Sequence, residues 1–139
     1  MNLHNLHNDP KSLDYIDDVD MVPTLFWDKC PAEDKRQYEK LWARNPKTAC
    51  LYSCWIIKKP FPLGESAIAK EARYSYWYAR DVLGAAFKLG EPAIATDDCY
   101  SHWYARDVLK KRFKLGEPAI KRGDAENRAF YESFIKCNL

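Results

Sequence analysis

Long apolar runs are what the sequence has least of, and the expectation is a chain without an export signal or a membrane-spanning helix. Its first residues, Met1-Asn-Leu-His-Asn-Leu-His-Asn-Asp9, hold no apolar run, so no signal peptide is read there. No stretch approaches the length of a membrane span. The signatures of catalysis are missing too: no nucleophile–base pairing, no paired carboxylates with a pocket, no glycine-rich phosphate loop. The expectation is a protein that is not an enzyme and needs no cofactor. Cysteines number five (Cys30, Cys50, Cys54, Cys99, Cys137), an odd count that without an export signal predicts free thiols in a reducing cytosol. Glycine is scarce, five in 139 residues, and Gly64, Gly90 and Gly116 fall 26 residues apart, which predicts service in a repeated turn. Strong net charge is also absent, at +2. Its distribution is uneven. Residues 1–34 carry eight acids against two lysines, and residues 35–139 carry twenty bases against twelve acids. The acidic leader can therefore lie on a basic body. The asymmetry argues against a whole-molecule mimic of DNA, which would be acidic throughout.

What the chain does have is a repeat. Phe61-Pro-Leu-Gly-Glu-Ser-Ala-Ile-Ala returns as Phe87-Lys-Leu-Gly-Glu-Pro-Ala-Ile-Ala and again as Phe113-Lys-Leu-Gly-Glu-Pro-Ala-Ile. Trp77-Tyr-Ala-Arg-Asp-Val-Leu83 recurs letter for letter as Trp103 to Leu109. One period upstream lies a worn copy, in which Glu39 falls on Glu65 and Tyr52 on Tyr78. Fixed self-similarity at this period marks a stacked repeat array that presents a surface. Four units follow: 35–60, 61–86, 87–112 and 113–139. The fold expected is all-α, a short right-handed α-solenoid of about four helical-hairpin repeats behind an irregular N-terminal cap, residues 1–34.

Each unit reads as a short helix (roughly 65–70, 91–95, 117–121) and a longer one (roughly 46–58, 72–85, 98–112, 124–137). Asn45-Pro46 supplies an N-cap and a first-turn proline, and Asp97 takes the cap slot further on. Tyr74, Tyr78 and Val82 lie four apart, as do Ser75, Ala79 and Leu83, forming one apolar face. The small Ala79 and Ala105 admit a neighbouring helix, and Phe61, Phe87 and Phe113 plug the linkers. Asp9-Pro10 onward has the shape of a further decayed unit, and Met21 to Trp27 reads as a non-regular cap.

Tyr-Ala-Arg-Asp-Val-Leu followed by Lys-Lys-Arg-Phe-Lys-Leu-Gly-Glu-Pro-Ala-Ile resembles a tandem repeat of bacteriophage and large-virus proteins. The resemblance covers about 100 residues, from 35 onward. It implies a viral origin, a helical-repeat fold and residence in the host cytoplasm, and it carries over no catalytic residue. It also implies a class-level role, since small phage proteins of this kind often bind and disable host proteins, defence systems included.

Candidate contact residues are Tyr76, Trp77 and Arg80 with their counterparts His102, Trp103 and Arg106, expected off the apolar face of the long helices. Trp, Tyr and Arg are the types that most often anchor interfaces. The two tryptophans either fill the seam between units or form an exposed stripe. The arginines are expected to pair with Glu65 and Glu91, or with an aspartate of the next unit. Lys58, Lys59, Lys110, Lys111, Arg112, Lys114, Lys121 and Arg122 make a basic edge that complements helix C-termini or faces an anion. Gly84-Ala85-Ala86 interrupts that edge. A metal site is not expected: Cys50 and His102 fill equivalent slots two units apart, roughly 20 Å at about 10 Å per packed helix. The leading functional reading is a host-protein-binding module acting by steric blockade. The second is a nucleic-acid-binding helical repeat, which can stack bases and track phosphates.

Overall fold

The structure is a computed structural model that describes residues 24–138. The described residues are helical and contain no strand. In chain order the helices are α1 (Thr24–Lys29), α2 (Ala32–Trp42), α3 (Pro46–Leu51), α4 (Pro62–Ile68), α5 (Ala72–Trp77), α6 (Glu91–Ile94), α7 (Asp98–Trp103), α8 (Glu117–Arg122) and α9 (Ala125–Asn138). Three of them continue without a break into wider π-turns: α3 through Tyr52–Ile57, α5 through Tyr78–Leu83 and α7 through Tyr104–Leu109. A single 3-10 turn leads into α6 and another into α8.

The long helices start where the caps predict. The Asn45 side chain accepts from the amides of Lys47 and Thr48 at 2.9 and 3.3 Å, and Asp97 accepts from Tyr100 at 2.9 Å. The first three stop one to three residues short of the expected ends, at Ile57, Leu83 and Leu109. Lys58, Gly84 and Lys110 take left-handed φ of 52°, 60° and 58°, which ends the helix and turns the chain back. The amides of Ala85 and Lys111 then close onto Ala79 and Ala105.

The short helix that follows packs onto the long helix before it: α4 on α3, α6 on α5, α8 on α7. The recurrent glycine sits at this crossing. A Cβ on Gly90 would lie 2.6 Å from the Cβ of Ser75, and one on Gly116 2.6 Å from that of Ser101. Their φ values are −89° and −88°. The glycines do sit in the repeated turn, with the amides of Gly90 and Gly116 closing onto Phe87 and Phe113, but what requires a glycine there is the close helix approach and not a left-handed backbone. Successive long helices lie side by side, α3 against α5, α5 against α7, α7 against α9.

One tyrosine per long helix ties this together. The hydroxyl of Tyr78 accepts the amide of Phe61 at 2.9 Å and donates to Glu65, while its ring packs on Phe87 at 5.0 Å. Tyr104 accepts from Phe87 at 3.0 Å, donates to Glu91 at 2.8 Å and packs on Phe113 at 4.9 Å. Tyr131 accepts from Phe113 and donates to Glu117. Tyr52 donates to Glu39 and packs on Phe61 at 4.8 Å, so the worn copy keeps the glutamate bond and the ring contact of the clamp. Tyr52, Tyr78 and Tyr104 are fully buried. At the N-terminal end Trp27 closes the core against Trp42 and Tyr52 at 5.5 and 5.3 Å. Trp27 lies in regular α1, not in an irregular segment as its sequence suggested. The decayed copy near Asp9 lies outside the described residues. Helix α2 runs through the expected boundary at 34/35.

Burial, reinforced by the hydrogen bond to glutamate, raises the ionisation of Tyr52, Tyr78, Tyr104 and Tyr131, the last to about 12. Unfolded tyrosines ionise from about pH 10. The stability these groups contribute is therefore complete below that pH and is lost as pH rises through the folded values. Chemical denaturation between pH 7 and 12 will show a steep alkaline loss. Tyr104→Phe will cost about 1–3 kcal/mol at pH 7, because the Phe87 amide loses its acceptor, and will flatten that loss. An unchanged midpoint in Tyr104→Phe at pH 7 would remove the clamp from this account.

Candidate functional site

The long helices share one face, and the expected stripe lies across it with a changed order of exposure. Tyr76 and His102, expected off the apolar face, are buried, with 2% and 3% of their surface exposed. The reason is the neighbouring helix. Tyr76 packs on Tyr100 at 5.7 Å and Trp103 at 6.1 Å across the α5–α7 seam, and its hydroxyl donates to Asp107 at 2.5 Å. His102 Nδ1 meets Asn127 Oδ1 at 2.7 Å across the α7–α9 seam. Trp77 and Trp103 are half-buried against the core and keep one edge outside.

Arg80 and Arg106 are exposed, but neither pairs with Glu65 or Glu91, whose carboxylates the clamp tyrosines occupy. Arg80 instead holds Asp81 through Nε and Nη2 at 2.8 and 2.9 Å, and Arg106 holds Asp107 at 2.7 and 2.9 Å. Arg80 Nη1 also reaches the Tyr76 hydroxyl at 3.3 Å, and its guanidinium lies 5.1 Å from that ring's centre. The pairs are adjacent in sequence and substantially exposed, Asp107 least of the four at 26%, so their value is orientation more than stability. Arg106, then the Tyr76 hydrogen bond, hold the Asp107 carboxyl below the usual aspartate range. That contribution is present above the ordinary aspartate value and is lost as pH falls through the lowered one.

Two clefts open on this face. One, about 310 Å³, lies between α3 and α5 and is lined by Leu51, Cys54, Trp55, Trp77, Arg80 and Asp81. Trp55 is 56% exposed there. The other, about 550 Å³, lies between α7 and α9, with walls of Trp103, Phe130 and Phe134, His102 and Asn127 at its base, and Arg106 beside it. The sequence pointed to Trp77, Trp103, Arg80 and Arg106 through their recurrence. It missed Trp55, Phe130 and Asn127, which have no identical counterpart one period away. It also missed a row of leucines. Leu63, Leu89 and Leu115 in the Phe-x-Leu-Gly-Glu motif are 55–57% exposed, although a recurrent leucine reads as core.

The basic residues are exposed as expected. Lys110 occupies the left-handed turn that ends the helix continuing α7, and Lys111 follows it. Arg112 is bound to Glu117 at 2.9 and 3.0 Å, so its charge is compensated. Lys114 opens the 3-10 turn before α8. Among the described residues, Asp97, Asp98 and Cys99 bring ligand-type atoms within 4.8 Å of one another. Asp97 caps α7, Asp98 accepts from the Asp124 amide and Asn127, and burial and these acids raise the Cys99 thiol. These are structural duties rather than a ligand set.

Cys50 and Cys54 approach to 3.9 Å on α3 and its π continuation. The shared hydrogen bond lowers Cys54, at the cleft, and raises buried Cys50. Iodoacetamide will therefore label Cys54 at lower pH than Cys99. Cys50→Ala will move the Cys54 profile upward, and an unmoved profile would show that Cys50 donates elsewhere. No protein-family model, curated protein or solved structure matches the chain.

Proposed function

We propose that this chain is a phage-encoded protein-binding module, an α-solenoid of about four helical-hairpin units whose long-helix face grips a host protein and blocks it sterically in the host cytoplasm. On this reading it performs no catalysis. The observation that carries it is the pair of open, tryptophan-lined clefts on one face, each with an arginine held in place by its neighbouring aspartate. Aromatic and arginine side chains in partly formed pockets are the usual anchors of an interface. Recurrence across units widens the contact without requiring any unit to bind alone.

The nucleic-acid reading draws on the exposed Lys58, Lys59, Lys110 and Lys111 at the helix-ending turns. It is weaker because Arg112 is neutralised by Glu117 and the second unit places Gly84, Ala85 and Ala86 in the same position. No helix among the described residues is long and apolar enough to cross a membrane.

The test is affinity capture from bacterial lysate, run with the unaltered chain, with Arg80→Glu/Arg106→Glu and with Leu89→Glu/Leu115→Glu. All these side chains are exposed, and thermal unfolding of each variant checks that it is folded. A stoichiometric protein will be captured by the unaltered chain and by the leucine variant, and lost by the arginine variant. Capture lost only in the leucine variant moves the contact to the short-helix row. No captured protein, together with tight oligonucleotide binding that falls steeply with salt, would replace this reading with the nucleic-acid one.

A further inference from the structure

The repeat supplies its own template for the α7–α9 cleft. At the α5–α7 seam three side chains interlock. Tyr76 fills the gap, its ring lies against Tyr100 and Trp103, and its hydroxyl ends on Asp107. The equivalent positions at the α7–α9 seam follow from the clamp. Tyr131 does for Phe113 what Tyr104 does for Phe87, so α9 is offset by 27 residues rather than 26. His102 then stands for Tyr76, Asn127 for Tyr100, Phe130 for Trp103 and Phe134 for Asp107. The contacts agree. His102 meets Asn127 as Tyr76 meets Tyr100, and its ring lies 6.5 Å from Phe130 as Tyr76 lies near Trp103. Two phenol rings present at one seam are gone from the next, and an open cleft of about 550 Å³ takes their place. A packed interior that loses a ring without collapsing leaves a space suited to that ring.

The polar chemistry of the cleft is also determined. Asn127 Nδ2 donates to the Asp98 carbonyl at 2.8 Å, which turns Oδ1 toward His102. Oδ1 only accepts, so His102 Nδ1 carries the proton. In the neutral ring Nε2 then holds a lone pair. Nε2 has no partner among the described residues, on a side chain that is 97% buried and lines the cleft. Trp103, Phe130 and Phe134 form aromatic walls, and of the charged lining residues Arg106 is already held by Asp107, which leaves Asp124 and Glu126 to disfavour a carboxylate.

We propose that the α7–α9 cleft is a binding site for a neutral phenol ring, seated between Trp103 and Phe130 with its hydroxyl donating to His102 Nε2. The ring is either a free small phenol or the side chain of a tyrosine, and the two share this chemistry. The proposal stands apart from the host-protein reading, because it needs only the cleft.

The test is titration of the full chain with p-cresol, toluene and N-acetyl-tyrosinamide, followed by amide nitrogen–proton spectra. p-Cresol will give saturable shifts confined to α7 and α9, with affinity about three- to tenfold above toluene, the worth of one hydrogen bond. His102→Tyr restores the ring found at the neighbouring seam and will weaken p-cresol at least tenfold. A second variant, His102→Phe, keeps the wall but removes Nε2, and will bind p-cresol and toluene alike. Thermal unfolding of both variants checks that they are folded. Binding of N-acetyl-tyrosinamide with p-cresol assigns the site to a side chain as well as a free ring, and binding of p-cresol alone assigns it to a free phenol. Absence of saturable shifts with both phenols, equal affinity for toluene in the unaltered chain, or undiminished binding in folded His102→Tyr would each overturn the proposal.

Discussion

The structure depends on a buried tyrosine hydroxyl that must both accept and donate. For Tyr78 and Tyr104 the hydroxyl accepts the amide of a phenylalanine 17 residues earlier and donates to a glutamate 13 residues earlier, and Tyr131 makes the same two bonds one residue further back. The ring of Tyr78 or Tyr104 packs on the phenylalanine nine residues later. The two phenylalanines are one period apart, so a single side chain sets the repeat length. A buried amide without an acceptor, or a half-buried carboxylate without a donor, costs more than an ordinary hydrogen bond returns, which makes the arrangement hard to alter. The glycine at the helix crossing completes it, since any Cβ there collides with the small residue of the long helix, Ala49, Ser75 or Ser101.

With the clamp held constant, variation is moved to the seams on the other side of the long helices. There Cys50, Tyr76 and His102 occupy equivalent slots, and what each slot holds decides how the neighbouring helix meets it. Tyr76 is long enough to cross the seam and hydrogen-bond Asp107. His102 stops short, at Asn127. Cys50 is shorter still and turns to Cys54 in its own helix. The larger cleft lies beside His102 and the smaller one beside Cys54, on the face that carries the arginines and the partly exposed tryptophans. One repeated scaffold thus carries different surface chemistry at each junction.

Much of this was readable in the linear chain where identity recurs. The helices, their caps, the buried Phe61, Phe87 and Phe113, and the alignment of Glu39 with Glu65 follow from periodicity, and Glu39 does receive the Tyr52 hydroxyl. The pairing of Arg80 did not follow. The sequence offered Glu65 or an aspartate of the next unit, whereas Arg80 holds Asp81 of its own unit while Glu65 receives the Tyr78 hydroxyl. Tyr76 and His102 likewise lie off the apolar stripe of an isolated helix, and they are buried because a second helix covers them. The exposed Leu63, Leu89 and Leu115 show the opposite case, in which recurrence and hydrophobicity together still do not mean burial.

By itself the sequence determined the period, the helical content, the capping residues and the side chains that repeat. These depend on local propensity and spacing, which are written along the chain. Tertiary structure decided which glutamate and which aspartate are occupied, which tyrosine crosses a seam, and where a missing ring leaves a cleft. Those outcomes depend on distances between helices, and a helix carries no record in its own residues of how near its neighbour will come.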